Sequence, residues 1–332
     1  MIQFFLDLLG QAQGWLFENA IQPLIYYTGM GDITEEAFEG TEWLLIGLAE
    51  LLLIFLVLRP LEAAIPVHQF SDKRARWNDF TYTVIQRLGL IPLALFFTLD
   101  PVMDAIAGAL HMEGVQPFNL ENLVTNMHPL ASFAIYLLVL DFADYWFHRA
   151  QHKFNWWWGL HSLHHSQQNM NLWSDDRNHL LDDVLRDLYL ALIGLAIGVP
   201  PGQYVLLISL SRILQSLQHA NVRIHFGRIG EWLLVSPRYH RMHHAVGVGH
   251  ESHGKGTLGG CNFAVLLPVW DIIFRTANFT PKFEPTGVRD QLAREDADGA
   301  LRPGRDYGCG FWQQQWLGLK RMVEFAAARR PG

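Results

Sequence analysis

The chain is poor in charge and in cysteine. Charged residues make up 17% of its 332 positions, against roughly a quarter in an ordinary soluble domain. A disordered polymer or a nucleic-acid-binding chain needs far more charge, so both classes, and nucleic acid as a partner, are excluded. The two cysteines, Cys261 and Cys309, form no CxxC pair, so neither a disulfide framework nor a thiolate metal site organises the fold. Lys and Arg are missing altogether from Met1 to Leu58 and again from Leu88 to His148. The N-terminus therefore has no basic region and no cleavable signal is expected. Length alone favours two domains, a prior that weakens if part of the chain lies in lipid.

Long apolar runs fill the stretches that lack basic residues. Trp43–Leu58 is interrupted only by Glu50 and, with its flanks, reaches the roughly 20 residues of a spanning helix. Leu88–Leu99 is shorter and borrows polar flanks, whereas Pro129–Phe147 is long enough alone. From Asp187 to Leu214 the apolar pattern breaks at Val199-Pro200-Pro201-Gly202, which fits one kinked span or two helices and a turn. Charge sidedness selects the hairpin. Five basic residues fall in 59–87 and 20 after His148, and the positive-inside rule puts both groups in the cytosol. A single crossing at 187–214 would strand the later ones outside. Helices over about Asp183–Val199 and Gly202–Gln218 are therefore expected, with the first 29 residues as an amphipathic surface helix. The expected fold is all-α: a multi-pass membrane helical bundle with a cytosolic helical cap. A large soluble helical protein is the competing reading, and the sidedness of charge argues against it.

Histidine is what the chain has in excess. Of 16 residues, 11 lie between His148 and His244. His148 and His152 stand at i, i+4; His161, His164 and His165, and again His240, His243 and His244, stand at i, i+3, i+4. On a helix each set lies along one edge, and imidazole suits zinc, copper, iron and nickel. The expected helices place His179 and His219 at the cytosolic ends of the hairpin, which brings the count to ten. A catalytic zinc uses three protein ligands and a structural zinc four, so one zinc is oversupplied and two metals with four or five imidazoles each would use them all. No Glu-x-x-His occurs, so a dinuclear centre would be all-histidine rather than of the carboxylate kind. Spacing alone does not separate iron from zinc.

The run Asp144-Tyr-Trp-Phe-His148-Arg149 through His152, then His161-Ser-Leu-His-His165-Ser166, Asn171, Arg177 and His179, then Pro237-Arg-Tyr-His240-Arg-Met-His-His244 and Trp270-Asp271-Ile-Ile-Phe274 resembles the membrane-bound fatty acid hydroxylase and sterol desaturase superfamily. The resemblance covers roughly Pro129–Thr276. It implies an O2-dependent centre of two iron ions (Fe2+) on the cytosolic face, hydroxylating or desaturating a lipid. Carried over by position, His148, His152, His161, His164, His165, His240, His243 and His244 would be ligands, with His179 and His219 completing the set. No cytochrome b5 segment is fused, so electrons would come from a separate ferredoxin- or cytochrome b5-type donor and its reductase. Expected regions are 1–128, with the amphipathic helix and first spans; 129–276, the catalytic domain; and 277–332, a cytosolic tail with an amphipathic helix. A bacterial inner membrane or the endoplasmic reticulum is the expected location.

The family's Asn-Tyr-Gly reads Asn262-Phe263-Ala264 here and its Phe-Gly-Thr reads Phe274-Arg275-Thr276, while Gly247–Gly260, with His250 and His253, looks inserted. Gly254-Lys-Gly-Thr-Leu-Gly259 satisfies GxGxxG, but it lacks the strand before and helix after that nucleotide binding requires. Trp156-Trp157-Trp158 fits an interfacial anchor or a substrate lining. Asp141 and Asp144 fit partners that hold imidazole tautomers or plain interfacial carboxylates. His68, His111 and His128 stand alone and read as solvated or interfacial. A zinc-dependent membrane hydrolase and a non-enzymatic metal carrier are the alternatives to an oxygenase. The former would work without O2, and the latter would line its spans with histidine rather than place it at helix ends.

Overall fold

The computed structural model describes residues 2–70, 72–88, 105, 108–109, 111–114, 120–124, 126–246, 260–295 and 298–327. The short span expected at Leu88–Leu99, save Leu88 itself, the GxGxxG stretch, His250 and His253 fall outside them. The described chain is mostly helical, with one two-stranded antiparallel ladder of β1 (Arg294–Glu295) and β2 (Leu301–Arg302). It divides into two compact units, Met1–Leu56 with Val84–Gln116, and Val57–Thr83 with Pro117–Gly332.

In the first unit α1 (Ile2–Leu16) continues through a π turn into α2 (Gln22–Tyr27). It leaves Leu8, Trp15, Leu24 and Tyr27 exposed, as an amphipathic surface helix would. Beside it α3 (Thr34–Leu53) is fastened by the Gln13 amide on the Phe38 carbonyl at 2.9 Å and by edge-on Phe17 and Phe38 rings. Glu50, the one charge in the expected first span, is buried and paired with Arg87 at 2.8 Å. Gly47 permits the approach that makes this pair, because a β-carbon there would fall on the Arg87 carbonyl. Through a π turn α3 runs on into α4 (Arg59–Ala64), giving one apolar helix over Gly31–Ala64.

The second unit carries α5 (Lys73–Arg87, in part), α6 (Glu121–Val124), α7 (Pro129–Lys153), α8 (Asn155–His165), α9 (Leu180–Ile197), α10 (Pro201–His219), α11 (Gly227–Leu233), α12 (Pro237–His243), α13 (Val269–Ile273) and α14 (Phe311–Ala327). Helix α7 starts where Pro129 occupies the first position and His128 caps the Leu130 amide. With Gly31–Ala64 it is, among the described residues, one of two helices long and apolar enough to cross a membrane. Helices α9 and α10 fall where the hairpin was expected. Gly198 ends α9 in the left-handed conformation (φ 69°), and Pro201 opens α10 after extended Pro200. Near that turn Val124, Tyr136, Leu140 and Leu207 form a buried apolar cluster.

The segment expected as a tail is integral to this unit. Helix α14 lies along α8, and the two glycines at their contacts are small for a reason. A β-carbon at Gly159 would meet the Met322 backbone at 2.5 Å, and one at Gly318 the His179 ring at 2.4 Å. Arg321 is buried there, donating to the Gly159 carbonyl and lying over the Tyr307 ring.

Candidate metal centre

Four helices converge their polar ends in the second unit. His148 and His152 close α7; His161, His164 and His165 lie on α8; His219 ends α10; and His240, His243 and His244 lie on and just after α12. Ser236 caps α12 on the Tyr239 amide and Pro237 opens it, which fixes this short helix in place. Nine of the ten expected histidines gather into two groups, His148, His152, His161, His165 and His243, and His164, His219, His240 and His244. Within each, one ligand nitrogen per ring lies within 4.8 Å of the others, and all nine rings are buried.

Helix geometry explains the sorting. Residues four apart differ by about 40° around a helix, while the third residue points about 60° the other way. On α8, His161 and His165 therefore face one group and His164 the other. On α12, His240 and His244 share the second group while His243 turns to the first. His165 and His244 stack across the divide, ring centroids 4.2 Å apart.

Four of the nine rings commit their outward nitrogen to an acceptor. His148 Nδ1 donates to the Phe263 carbonyl (2.8 Å), His243 Nδ1 to the Cys261 carbonyl (2.7 Å), His219 Nδ1 to the Gln215 carbonyl (2.8 Å) and His161 Nδ1 to Asp182 (3.2 Å). A neutral imidazole that donates from Nδ1 has a bare lone pair at Nε2. These four rings thus turn lone pairs inward, the arrangement by which outer partners orient metal ligands. Nε2 of His161 and of His243 is buried with no hydrogen-bond partner. Such an atom is costly unless a cation takes the lone pair.

The second group makes the same point by counting protons. Nε2 atoms of His164 and His219 lie 3.1 Å apart, His219 and His240 3.0 Å, and His240 and His244 3.1 Å. A chain of four nitrogens, each with one proton or one lone pair, makes at most two hydrogen bonds, so three such contacts are one too many. Ligands at right angles around a metal with bonds of about 2.1 Å stand about 3.0 Å apart. The donor set fits a metal better than it fits protons. Burial first, and then neighbouring imidazoles, hold His164, His165, His240 and His244 well below the usual histidine range. Burial takes His243 down to about 3 against the Cys261 carbonyl. All five are neutral and ready to ligate at physiological pH.

His179, the tenth expected ligand, is not brought into either group. Its Nδ1 accepts from the Leu181 amide as the cap of α9, and its Nε2 donates to the Gln315 carbonyl of α14 at 2.9 Å. Both nitrogens are spent, so it joins two helices. Nor do Asp141 and Asp144 hold imidazoles. Asp141 accepts from the Leu266 and Leu267 amides and Trp270, while Asp144 pairs with Arg186. The carboxylates that reach rings are Asp182, which also takes Gln151 and Trp157, and Asp175, 3.3 Å from His219 Nδ1. The tryptophan triplet divides. Trp156 is exposed, Trp157 is tied to Asp182, and Trp158 is buried against His152 and His165.

Residues 133–276 match the family profile described as fatty acid hydroxylase. This segment is a fatty acid hydroxylase domain. It is 32% identical over 139 residues to human alkylglycerol monooxygenase, covering 42% of this chain and 29% of that protein. The counterpart from Xenopus tropicalis is 30% identical over 147 residues, 44% of this chain and 30% of that one. An ornithine lipid hydroxylase of Rhizobium tropici is 23% identical over 239 residues, 70% of this chain and 68% of its own length. The chain spans about 30% of the alkylglycerol monooxygenases it matches. No solved structure matches it.

Within the hydroxylase domain the two departures from the family pattern behave differently. Asn262 holds a left-handed backbone (φ 59°), which asparagine tolerates. Its amide donates to the Tyr239 and Asn278 carbonyls and its oxygen accepts from the Asn278 amide. That clamp lets the carbonyls on either side, of Cys261 and Phe263, both face imidazoles. Ala264 stands where the family has glycine, but it has no positive φ and its amide donates to Asp271, so glycine is not needed here. Arg275 does occupy a left-handed position (φ 58°) in place of glycine. Asp271 ties the scaffold together, accepting from the Phe263 and Ala264 amides, Tyr239 and Thr276. Burial pushes its carboxyl up while these donors hold it down. Asp182, Asn262, Gln215 and Gln315 went unmarked as site residues in the sequence. Asp182 had a local signal, as an acidic residue three positions after His179, and Asn262 had one as the asparagine of the Asn-Phe-Ala motif.

Proposed function

We propose that the protein is an integral-membrane di-iron oxygenase that hydroxylates, or desaturates, an aliphatic carbon of a lipid with O2. The observation that carries this is the pair of buried imidazole groups, in which four rings commit Nδ1 to an outer acceptor and so present an Nε2 lone pair to their group. His148, His152, His161, His165 and His243 would hold one iron and His164, His219, His240 and His244 the other. Bound iron supplies activation of O2 for attack on an unactivated C–H bond.

The chain's own residues orient and dry the centre. Asp182 and the Phe263, Cys261 and Gln215 carbonyls fix the tautomers. Trp158 and Phe263, at 2% and 0% exposure, wall the first group from water, which a reactive oxidant requires. The lipid would come from the bilayer. Gly31–Ala64 and α7 would span it, α9 and α10 would enter as a hairpin, and α11, with Ile229, Trp232 and Leu233 exposed, would lie at its surface. The positive-inside pattern puts the histidines on the cytosolic face, within reach of a soluble or cytochrome-type electron donor. Relatives named for alkylglycerols and ornithine lipids support a glycerol- or amino-acid-headed lipid as substrate.

Comparative lipid mass spectrometry under 18O2, in cells expressing the wild type or His244→Ala, tests the reading. A lipid that gains labelled oxygen, or loses two hydrogens, only with the wild type is expected. An unchanged lipidome contradicts it, and turnover without O2 favours a zinc hydrolase.

A further inference from the structure

A second polar site adjoins the histidines and is not used by them. The strap 64–69 lines a cavity of about 560 Å3 together with Arg223. The strap pairs with the chain just beyond the ligand His219. The Arg223 amide donates to the Ile65 carbonyl at 2.9 Å, and Asn221 takes the His68 amide on Oδ1 (3.2 Å) while donating from Nδ2 to the His68 carbonyl (2.8 Å). Arg241, the residue after His240, reaches the strap from the other side, its Nη2 3.3 Å from His68 Nδ1.

Unpaired donors outnumber unpaired acceptors in this cluster. Arginine only donates, so His68 Nδ1 accepts and the neutral ring carries its proton on Nε2. That Nε2–H is buried and finds no acceptor. Nη1 of Arg241, a residue 96% buried by its 4% exposure, is likewise unpartnered, as is Nε of Arg76. Arg241 spends its remaining donors on the Glu284 carbonyl and His68, and among the described residues no carboxylate pairs with Arg241 or Arg76. Arg76 lies over the Phe70 ring, 3.7 Å from its centroid. The nearby carboxylate, Glu62, is buried, holds the Leu172 and Asn221 amides on Oε1 and leaves Oε2 without a partner; it offsets the charge of Arg76, while nothing comparable faces Arg241 or His68. Burial, and then the neighbouring Arg241 and Arg76, lower His68 to about 4. Of these cations Glu62 serves Arg76 alone; the unpartnered donors of Arg241 and His68, with Arg223 at the adjoining cavity, have no anionic acceptor among the described residues.

We infer that Arg241, His68, Arg76 and Arg223 form an oxyanion site that takes the phosphate or carboxylate on the headgroup of a lipid. Given the lipid oxygenase reading, on which this rests, the site selects anionic-headed substrates over neutral glycerol lipids. It fastens the head to the elements that present His219 and His240, so that the chain is left to enter the centre.

The test is binding to the full-length protein in phosphatidylcholine nanodiscs. The probes share one acyl chain: lysophosphatidate, N-acylglycine and neutral monoacylglycerol, with inorganic phosphate as competitor. At least one anionic probe is expected to bind about tenfold or more tighter than monoacylglycerol, as charge-assisted bonds would give. Arg223→Gln and Arg76→Gln should each remove that preference without changing iron content or monoacylglycerol affinity. Competition by inorganic phosphate supports the oxyanion site. Phosphate binding that no lipid displaces overturns the lipid assignment, and equal affinity for charged and neutral probes, or unaffected variants, overturns the site. The readout needs neither iron nor turnover. Charge selectivity in a protein that oxidises no lipid would therefore sink the oxygenase reading alone, and oxidation of lipid without charge selectivity would sink this inference alone.

Discussion

Asp182 is the side chain on which the first imidazole group leans most visibly. It takes His161, Gln151 and Trp157 together, so removing it frees the His161 ring to rotate and lose its tautomer. Asp182→Ala is expected to weaken iron binding about 10- to 100-fold, with helix content unchanged, as read by metal titration beside circular dichroism. Unaltered affinity would show that the carboxylate merely fills space. Arg275 makes the opposite prediction. Its left-handed backbone costs a side-chain-bearing residue about 1–2 kcal/mol, and the side chain is exposed. Arg275→Gly should stabilise the protein by about 1 kcal/mol, seen as a higher melting temperature. Lower stability would mean that the arginine makes contacts worth more than the strain.

Among elements, α14 matters more to the centre than its position near the C-terminus implied. It backs α8, the helix that feeds both imidazole groups, and it receives His179. Gly318→Leu would drive a side chain into the His179 ring and should cost about 1–3 kcal/mol by overpacking. Thermal unfolding measures this, and no loss would contradict the close packing of α8 and α14. The histidine groups were legible in the sequence because their spacing is local, and a helix converts i, i+4 into a shared face without tertiary information. Their division into five and four was not, because it depends on how α7, α8, α10 and α12 meet. Their acceptors were hidden for the same reason. The Phe263 carbonyl is 115 residues from His148, and a backbone oxygen has no residue type to betray it. His179 stands apart from both groups and was grouped with them in sequence because a helix cap and a ligand look alike there, both being polar groups at a helix end.

For the whole molecule, the positive-inside pattern and the apolar helices Gly31–Ala64 and α7 make a sidedness prediction. Exposed Cys309 should react with an impermeant maleimide only in inverted vesicles. A cysteine at Glu113, in a Cys261→Ser, Cys309→Ser background, should react only from the outer face. Labelling of both from one side would contradict the proposed orientation. Under the proposed function, the shortage of charge and the surplus of histidine would have a common explanation in a centre that takes its substrate from lipid and holds its metals with neutral ligands. The most direct measurement is metal analysis of the purified protein alongside a His165→Ala, His244→Ala double variant, which removes one ring from each group. Iron at about two per chain, falling sharply in the variant, is the expected result. Zinc as the dominant metal, or iron that the double substitution leaves unchanged, would contradict it.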